Sequence, residues 1–348
     1  MNNFITLVIL IACLWIGRSL FIPILFAAFL WYLLNAIASY YRRIMPGYKN
    51  NIKNNQQAPK IYTWLANILS FATIGGIVFL FATQIKPMFW ELYHATPVLQ
   101  QKLLLFGEFI SSKIGIKLDL NLIPNIPHIA TYIAASLAGI ATSTGMVLIY
   151  LIFMFIEQSS FNRKIDLLET QKIKAKKLRY ILNSIDEHMK KYLFTKTFIS
   201  AGTGILAYIA LRILGLEFAS VWAFMIFILN YIPTFGSILA CAMPIAYAFI
   251  SGDTWHLPFL TAISLICIEI VFGNILDPKL TGKTLNISTL AILINLVFWG
   301  MLWGVAGMFF SVPILAAIYI TTAQFKSTRW FAILLSEDGN IPDETAND

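Results

Sequence analysis

The chain has 348 residues, of which 58% are hydrophobic and only 12% are charged, and its formal net charge is +8. A soluble domain carries roughly a quarter charged residues, so this composition excludes an ordinary soluble protein. Several apolar runs reach the ~20 residues that an α-helix needs to cross a bilayer, and they do not alternate as barrel strands do. The sequence therefore predicts an all-α, polytopic integral membrane protein.

The amino-terminal part, residues 1–157, is predicted to hold four membrane spans. The apolar stretch from Phe4 to Tyr41 is too long for one span, so we expect a helical hairpin that turns at Gly17–Pro23. A third span is predicted from about residue 61 to 85, and a fourth from about 133 to 156. Between them, residues 86–128 are polar, and apolar residues at helical spacing predict an amphipathic helix outside the bilayer core.

Residues 158–198 form the most basic part of the chain, with ten Lys or Arg and four Asp or Glu residues. A 3.6-residue apolar stripe from Leu178 to Leu193 predicts a helix. This helix is either solvated in the cytoplasm, or it lies on anionic lipid or a partner helix. Since basic loops stay in the cytoplasm, both termini and this segment are predicted inside, and residues 86–128 outside.

Residues 199–325 are predicted to be a transport core, followed by a cytoplasmic tail at residues 326–348. Two apolar regions of this core are interrupted, one at Tyr231–Ser237 and the other at Trp299–Gly304. The limbs that lead into the breaks are only about 17 to 21 Å long as helices, which is short for a full crossing. We therefore expect two re-entrant hairpins that enter from opposite faces of the membrane.

The first break is encoded locally, because Pro233 removes a backbone donor and Gly236 permits a positive φ. Non-helical backbone at membrane depth is tolerated where it is buried in protein or lines a wet cavity. Secondary transporters use such breaks to bind solute near the middle of the membrane. A packing kink without a ligand is the alternative for either break, but two breaks together favour transport.

Polar residues near the breaks complete the candidate site. Glu269 lies about twelve residues into an apolar span and shares a helical face with Gly273 and Asp277. Glu269 is the candidate for binding a coupling proton or cation, together with Asp277; alternatively, Glu269 pairs with Arg212, and Asp277 merely ends the helix. The predicted path for a small polar solute consists of Asn230, Pro233, Gly236, Asn274, Asn295, Gly300 and Gly304.

Three stretches resemble the carboxyl-terminal half of the autoinducer-2 exporter (AI-2E) family of bacterial transporters. They are LNYIPTFGSILA (Leu229–Ala240), GNILDPKLTGKTLNIST (Gly273–Thr289) and FWGMLWGVAGMFFSVP (Phe298–Pro313), and the match is specific over Ser220–Ala316. They are most similar to the branch that exports the quorum-sensing signal. The residues at matching motif positions are Asn230, Pro233, Gly236, Asn274, Pro278, Gly282, Gly300, Gly304, Gly307 and Pro313.

The resemblance implies a homo-oligomeric inner-membrane transporter with about eight membrane segments that exports a small polar signal such as autoinducer-2. In other branches it implies sodium/proton exchange, and an antiporter that uses Glu269 is therefore a close alternative. A membrane scaffold or channel-like oligomer is a third possibility. The chain has no nucleotide-binding or hydrolase motif such as GxxxxGK[ST] or GxSxG. We expect no enzymatic activity, cofactor, metal or nucleic-acid partner, whereas membrane lipid is an expected partner.

Overall fold

The computed structural model describes residues 2–45, 60–114, 144–158, 160–161, 163–167, 175–251, 256–281 and 286–341. Within these ranges the secondary structure is helical, apart from one isolated antiparallel bridge between Ile287 and Ser336. The helices are α1 (Asn2–Ile16), α2 (Arg18–Ile44), α3 (Lys60–Ile114), α4 (Thr144–Gln158), α5 (Ala175–Ile213), α6 (Ala219–Leu229), α7 (Phe235–Ser251), α8 (His256–Glu269), a π-helix (Ile270–Leu276), α9 (Asp277–Thr281), α10 (Thr289–Ala323) and α11 (Arg329–Leu335).

Long apolar helices account for most of the described chain. Four of them are long and apolar enough to cross a membrane: Arg18–Ile44, Lys177–Ile213, His256–Leu276 and Thr289–Ala323. Shorter apolar helices lie at Trp64–Phe79, Thr144–Gln158, Ala219–Leu229 and Phe235–Ser251. The predicted all-α, polytopic membrane fold is therefore confirmed.

The predicted turn at Gly17–Pro23 is not found as such, because residues 18–23 already belong to helix α2. Only Gly17, with φ −77° and ψ 6°, interrupts the helix, and Pro23 is buried inside α2. The Gly17 N–H donates to the Cys13 carbonyl over 2.8 Å, and the Phe21 N–H donates to the Gly17 carbonyl over 3.0 Å. Backbone hydrogen bonds thus continue on both sides of the interruption.

Two helices run through positions where the sequence predicts a change of segment. Helix α3 continues from the predicted third span into the predicted outer segment, although it contains Pro87 and Pro97. Helix α5 continues from the basic segment into the predicted transport core without a break at residue 198. Hydropathy marks the point where a chain leaves the membrane, whereas a helix ends only where its backbone hydrogen bonds end. The predicted division at residues 157, 198 and 325 stays a prediction.

The carboxyl end of α5 is fixed by Gly215, which adopts a φ of +73°. The Leu216 N–H donates to the Leu211 carbonyl over 2.9 Å, and the Gly215 N–H donates to the Arg212 carbonyl over 3.1 Å. This pair of bonds is the Schellman motif, in which a left-handed glycine satisfies the last carbonyls of a helix. The chain then turns through Glu217 into α6.

The chain forms two compact units, the first from residues 1–71, 144–196 and 280–348 and the second from residues 72–143 and 197–279. In the first unit, α10 packs against α1 and α2. The Trp303 indole N–H donates to the Leu14 carbonyl over 2.9 Å, and the rings of Phe26 and Phe310 meet edge to face. In the second unit, α6, α7 and α8 pack around Trp222, Ala240 and Leu265.

The described part of the predicted tail is folded against the start of α10. The Ser288 N–H donates to the Leu335 carbonyl over 2.8 Å, and the Asn286 amide donates to the Asn340 carbonyl over 2.9 Å. Hydrogen bonds from the side chain of Asn286 and the backbone of Asn340 hold the pKa of the Asp338 carboxyl below its usual range. A depressed pKa means that this contact stabilises the tail at neutral pH and is lost only as the pH falls through that lowered pKa.

Several sequence predictions fall wholly or partly outside the described residues. They are the basic loop between α2 and α3, residues 115–128 of the predicted outer segment, the first half of the predicted fourth span (133–143), Gly282 in the motif, and residues 342–348 of the tail.

Candidate transport site

The first break separates α6 from α7 and reverses the direction of the chain. The last turn of α6 closes with the Asn230 N–H donating to the Ile226 carbonyl over 3.0 Å, and the Ile232 N–H donating to the Leu229 carbonyl over 2.9 Å. Pro233 follows, and it has no N–H with which to continue the ladder. We call residues 219–251 the first broken hairpin.

Gly236 has a different role from the predicted one. The residue with the positive φ is Thr234, at 61°, whereas Gly236 lies in the first turn of α7. A Cβ at Gly236 would overlap the carbonyl oxygen of Leu229 and would lie 2.9 Å from the Cβ of Ile232. Gly236 is therefore required because the two limbs approach closely, and not because of its backbone angles. Substitution by alanine, which suits a helix, is consequently expected to disturb folding as well as transport.

Asn230 is buried, and both ends of its amide are hydrogen-bonded within the second unit. Its Nδ2 donates to the Thr203 Oγ1 over 3.3 Å, and its Oδ1 accepts from the Ser237 Oγ over 3.4 Å. The Tyr231 hydroxyl donates to the Thr197 Oγ1 over 2.8 Å. These bonds connect the break to α5 and to the start of α7. Asn230 thus fixes the geometry of the break. Thr234, four residues further along the chain, is exposed.

The second break is a single residue, Gly304, with φ 64° and ψ −141°. A Cβ at Gly307 would overlap the Trp299 carbonyl oxygen, and a Cβ at Gly300 would lie 2.8 Å from the Met308 Cε. Each of these two contacts joins a residue before Gly304 to a residue after it, so the chain reverses direction at Gly304. Helix α10 therefore consists of two limbs, residues 289–303 and 305–323. Although α10 is 35 residues long, it does not cross the membrane as one rod. We call residues 289–323 the second broken hairpin.

Asn295 has the same role in the second broken hairpin as Asn230 has in the first. Its Nδ2 donates to the Ser311 carbonyl over 2.7 Å, across the hairpin, and its Oδ1 accepts from the Trp299 indole N–H over 3.0 Å. Each hairpin thus combines one asparagine, bonded to the opposite limb, with one glycine that abuts a carbonyl. Breaking these bonds would leave an amide without a hydrogen-bond partner in apolar surroundings, which costs free energy. The bonds therefore hold the two limbs of each hairpin together.

Glu269 ends α8, and the π-helix that follows contains Gly273 and Asn274. The Glu269 Oε1 lies 2.6 Å from the position that a Cβ at Gly273 would occupy, so the carboxylate covers this glycine. The predicted proximity of Glu269 and Gly273 is thus found. Asn274 is exposed, and Asp277 begins α9. Among the described residues no ion pair joins Glu269 to Arg212, which is exposed in the last turn of α5.

The sequence analysis missed the π-helix and three partners of the asparagines: Thr203, Ser237 and Ser311. A π-helix has no distinct hydropathy pattern, although single π-helical turns are frequent at functional sites. Small hydroxyl residues in apolar helices are the signal that could have identified the three partners, because they bond across helices in membranes.

Accessibility of the breaks gives a direct test of their environment. Thr234 is exposed and Met301 is 81% exposed, whereas Ser200 is fully buried. In a background without the native cysteines, we expect Thr234→Cys and Met301→Cys to react with a small polar thiol reagent, while Ser200→Cys stays unmodified. Inertness of both break positions would show that lipid or dry protein surrounds them.

Comparison with known proteins identifies the family. The profile of AI-2E family transporters matches residues 4–327. The chain is 34% identical over 207 residues to the AI-2 transport protein TqsA of Escherichia coli (strain K12), which covers 60% of this chain and 59% of that protein. It is 30% identical over 290 residues to a candidate transport protein of Haemophilus influenzae, which covers 79% of this chain and 82% of that protein.

A candidate transport protein of Borreliella burgdorferi is 33% identical over 204 residues, with 57% of this chain and 54% of that protein covered. The chain therefore spans a little over half the length of TqsA and of the Borreliella relative. With a family profile that matches nearly the whole sequence, the chain belongs to the AI-2E family of transporters.

Proposed function

We propose that this membrane transporter exports a small polar solute, of the autoinducer-2 type, across the bacterial inner membrane by secondary transport. The observation that carries the proposal is the pair of broken hairpins, each fixed by a cross-hairpin asparagine bond. Non-helical backbone at membrane depth is tolerated where it is buried in protein or lines a wet cavity, and secondary transporters use such breaks to bind solute. The relative named as an AI-2 transport protein supports the choice of solute.

In this proposal the residues of the predicted path have separate tasks. Asn230 and Asn295 hold the hairpins in shape, and Gly236 and Gly300 allow close packing. Pro233, which has no N–H, and Gly304, with its positive φ, interrupt the helices, and the exposed Thr234 at the first break can meet a hydroxyl-rich solute. Asn274 is exposed on the π-helix, where its amide can meet the solute.

An antiporter that exchanges sodium for protons is the second candidate, and Glu269 favours it. Its carboxylate has no ion-pair partner among the described residues and rests on a glycine within an apolar span. An acidic side chain in such a place commonly marks an ion or proton pathway. In the exporter, the same group would bind the coupling proton or cation, with Asp277 nearby in sequence.

Whole-cell efflux measures the proposed function directly. In a strain that lacks its own exporters, cells with this gene are expected to release autoinducer-2 faster than cells without it, whereas Asn230→Ala slows the release. Glu91→Gln, which changes an exposed residue of α3, serves as the control and should export normally. Equal retention of the signal in cells with and without the gene would reject the proposed substrate.

The proposed orientation rests on the bias of lysine and arginine, which predicts both termini in the cytoplasm. Cysteines placed at Lys177 and Lys279 are expected to be protected from an impermeant thiol reagent in intact cells, and one at Lys113 is expected to react. Permeabilised cells, in which all three should react, provide the control. Labelling of Lys177→Cys in intact cells would reverse the topology.

A further inference from the structure

A cavity of ≈ 290 Å³ lies within the second unit, at the carboxyl end of α7. Its walls come from α3, from the turn between α5 and α6, and from the facing ends of α7 and α8. Residues 235 and 251 are separated by about 24 Å of helix, so this cavity lies almost a full length of α7 away from the first break. It is a separate feature from the proposed solute path.

Two side chains of opposite charge line the cavity. Glu217 comes from the turn after Gly215, and Lys102 comes from α3. Among the described residues no ion pair joins them, and the Glu217 Oε2 accepts a hydrogen bond of 2.7 Å from the Tyr247 hydroxyl. The rest of the wall includes apolar side chains such as Val98 and Leu257. One negative and one positive group therefore share a small cavity without neutralising each other directly.

Tyr247 holds the carboxylate in place, because its own ring is fixed. The ring is 5% exposed, and it meets Phe218 edge to face with a centroid distance of 5.6 Å and Trp222 at 5.4 Å. The Trp222 indole N–H donates to the Glu217 carbonyl oxygen over 3.2 Å. Glu217 is thus positioned through both its backbone and its side chain before any ligand arrives, which lowers the entropic cost of binding.

We propose that this cavity binds a small zwitterionic solute of the size of an amino acid. The ammonium group of the solute donates to the Glu217 carboxylate, and its carboxylate binds the Lys102 ammonium group. Charge-assisted hydrogen bonds of this kind are stronger than neutral ones. A volume of ≈ 290 Å³ is at the small end of ligand pockets and matches a solute of this size. With the predicted topology, the site faces the outside of the membrane.

Binding to the purified full-length protein in detergent tests this proposal. The probes are glycine, alanine and glutamine as zwitterions, methylammonium and acetate as the separate charges, and glycerol as a neutral polyol. Calorimetry is expected to detect the zwitterions, with each separate charge and the polyol at least about tenfold weaker, because each forms only part of the contacts. Absence of zwitterion binding, or equal binding of glycerol, would overturn the proposal.

Variants locate the site. Glu217→Gln and Lys102→Gln are each expected to weaken zwitterion binding by about tenfold or more, while Glu108→Gln, an exposed change on α3, leaves it unchanged. Unchanged affinity in both cavity variants would refute the proposal. If Glu217→Gln does not fold because its hydrogen bond with Tyr247 is altered, the affinity of Lys102→Gln decides whether the proposal stands. Lys102 is exposed and forms no ion pair among the described residues. Binding in detergent is independent of export, so failure of this site would leave the proposed exporter function standing, and the reverse also holds.

Discussion

Gly236→Ala is expected to destabilise the protein by about 3 kcal/mol, the upper end of the ~1–3 kcal/mol that an extra methyl group costs in a tight contact. The new Cβ would overlap the Leu229 carbonyl oxygen. That oxygen is a backbone atom that already accepts the Ile232 N–H over 2.9 Å, so it cannot rotate away as a side chain would. Relief requires movement of α6 against α7, which also strains the Asn230 hydrogen bonds.

Gly307→Ala is expected to have the same effect in the second broken hairpin, because its Cβ would overlap the Trp299 carbonyl oxygen. Gly75→Ala is the matched control, since a Cβ there meets nothing within 4 Å and alanine suits a helix. Thermal unfolding and the yield of monodisperse protein in detergent measure the difference. Melting of Gly236→Ala at the temperature of Gly75→Ala would contradict the close packing of the hairpin.

Glu269→Gln is expected to abolish flux driven by a pH gradient in proteoliposomes, while solute binding or passive exchange stays detectable. Glutamine keeps the shape of the side chain and removes the group that can bind a proton or cation. The Glu269 carboxylate covers Gly273 and has no ion-pair partner among the described residues, so its charge is not already used in a structural pair. We therefore expect a coupling role, because acidic side chains within apolar spans commonly mark an ion or proton pathway.

Glu91→Gln, an exposed change on α3, should retain gradient-driven flux and serves as the control. Normal gradient-driven flux in Glu269→Gln would eliminate the coupling role. A fall in the melting temperature of Glu269→Gln, with no change in the control, would instead assign Glu269 to a structural contact. If Glu269→Gln instead abolishes the exchange of sodium for protons without affecting autoinducer-2 release, that result would favour the antiporter.

The sequence by itself determined the all-α membrane fold and the approximate positions of both breaks. Apolar runs report the burial of helices in lipid, and Pro233 and Gly304 act on the backbone locally, so neither signal depends on distant residues. The local signals were less informative about helix ends. Helices α3 and α5 continue past the predicted boundaries because polar residues can leave the membrane without leaving the helix.

Only the tertiary structure decided how the breaks are held. Asn230 bonds to Thr203, 27 residues earlier, and Asn295 bonds to Ser311, 16 residues later. The side chains of a membrane helix are apolar both where they face lipid and where they face another helix. Hydrophobic periodicity therefore cannot show which face meets a neighbour. The same reason applies to Gly236, whose lack of a side chain has meaning only next to the Leu229 carbonyl. Close approach between chain segments depends on three-dimensional packing, which no local pattern of residues records.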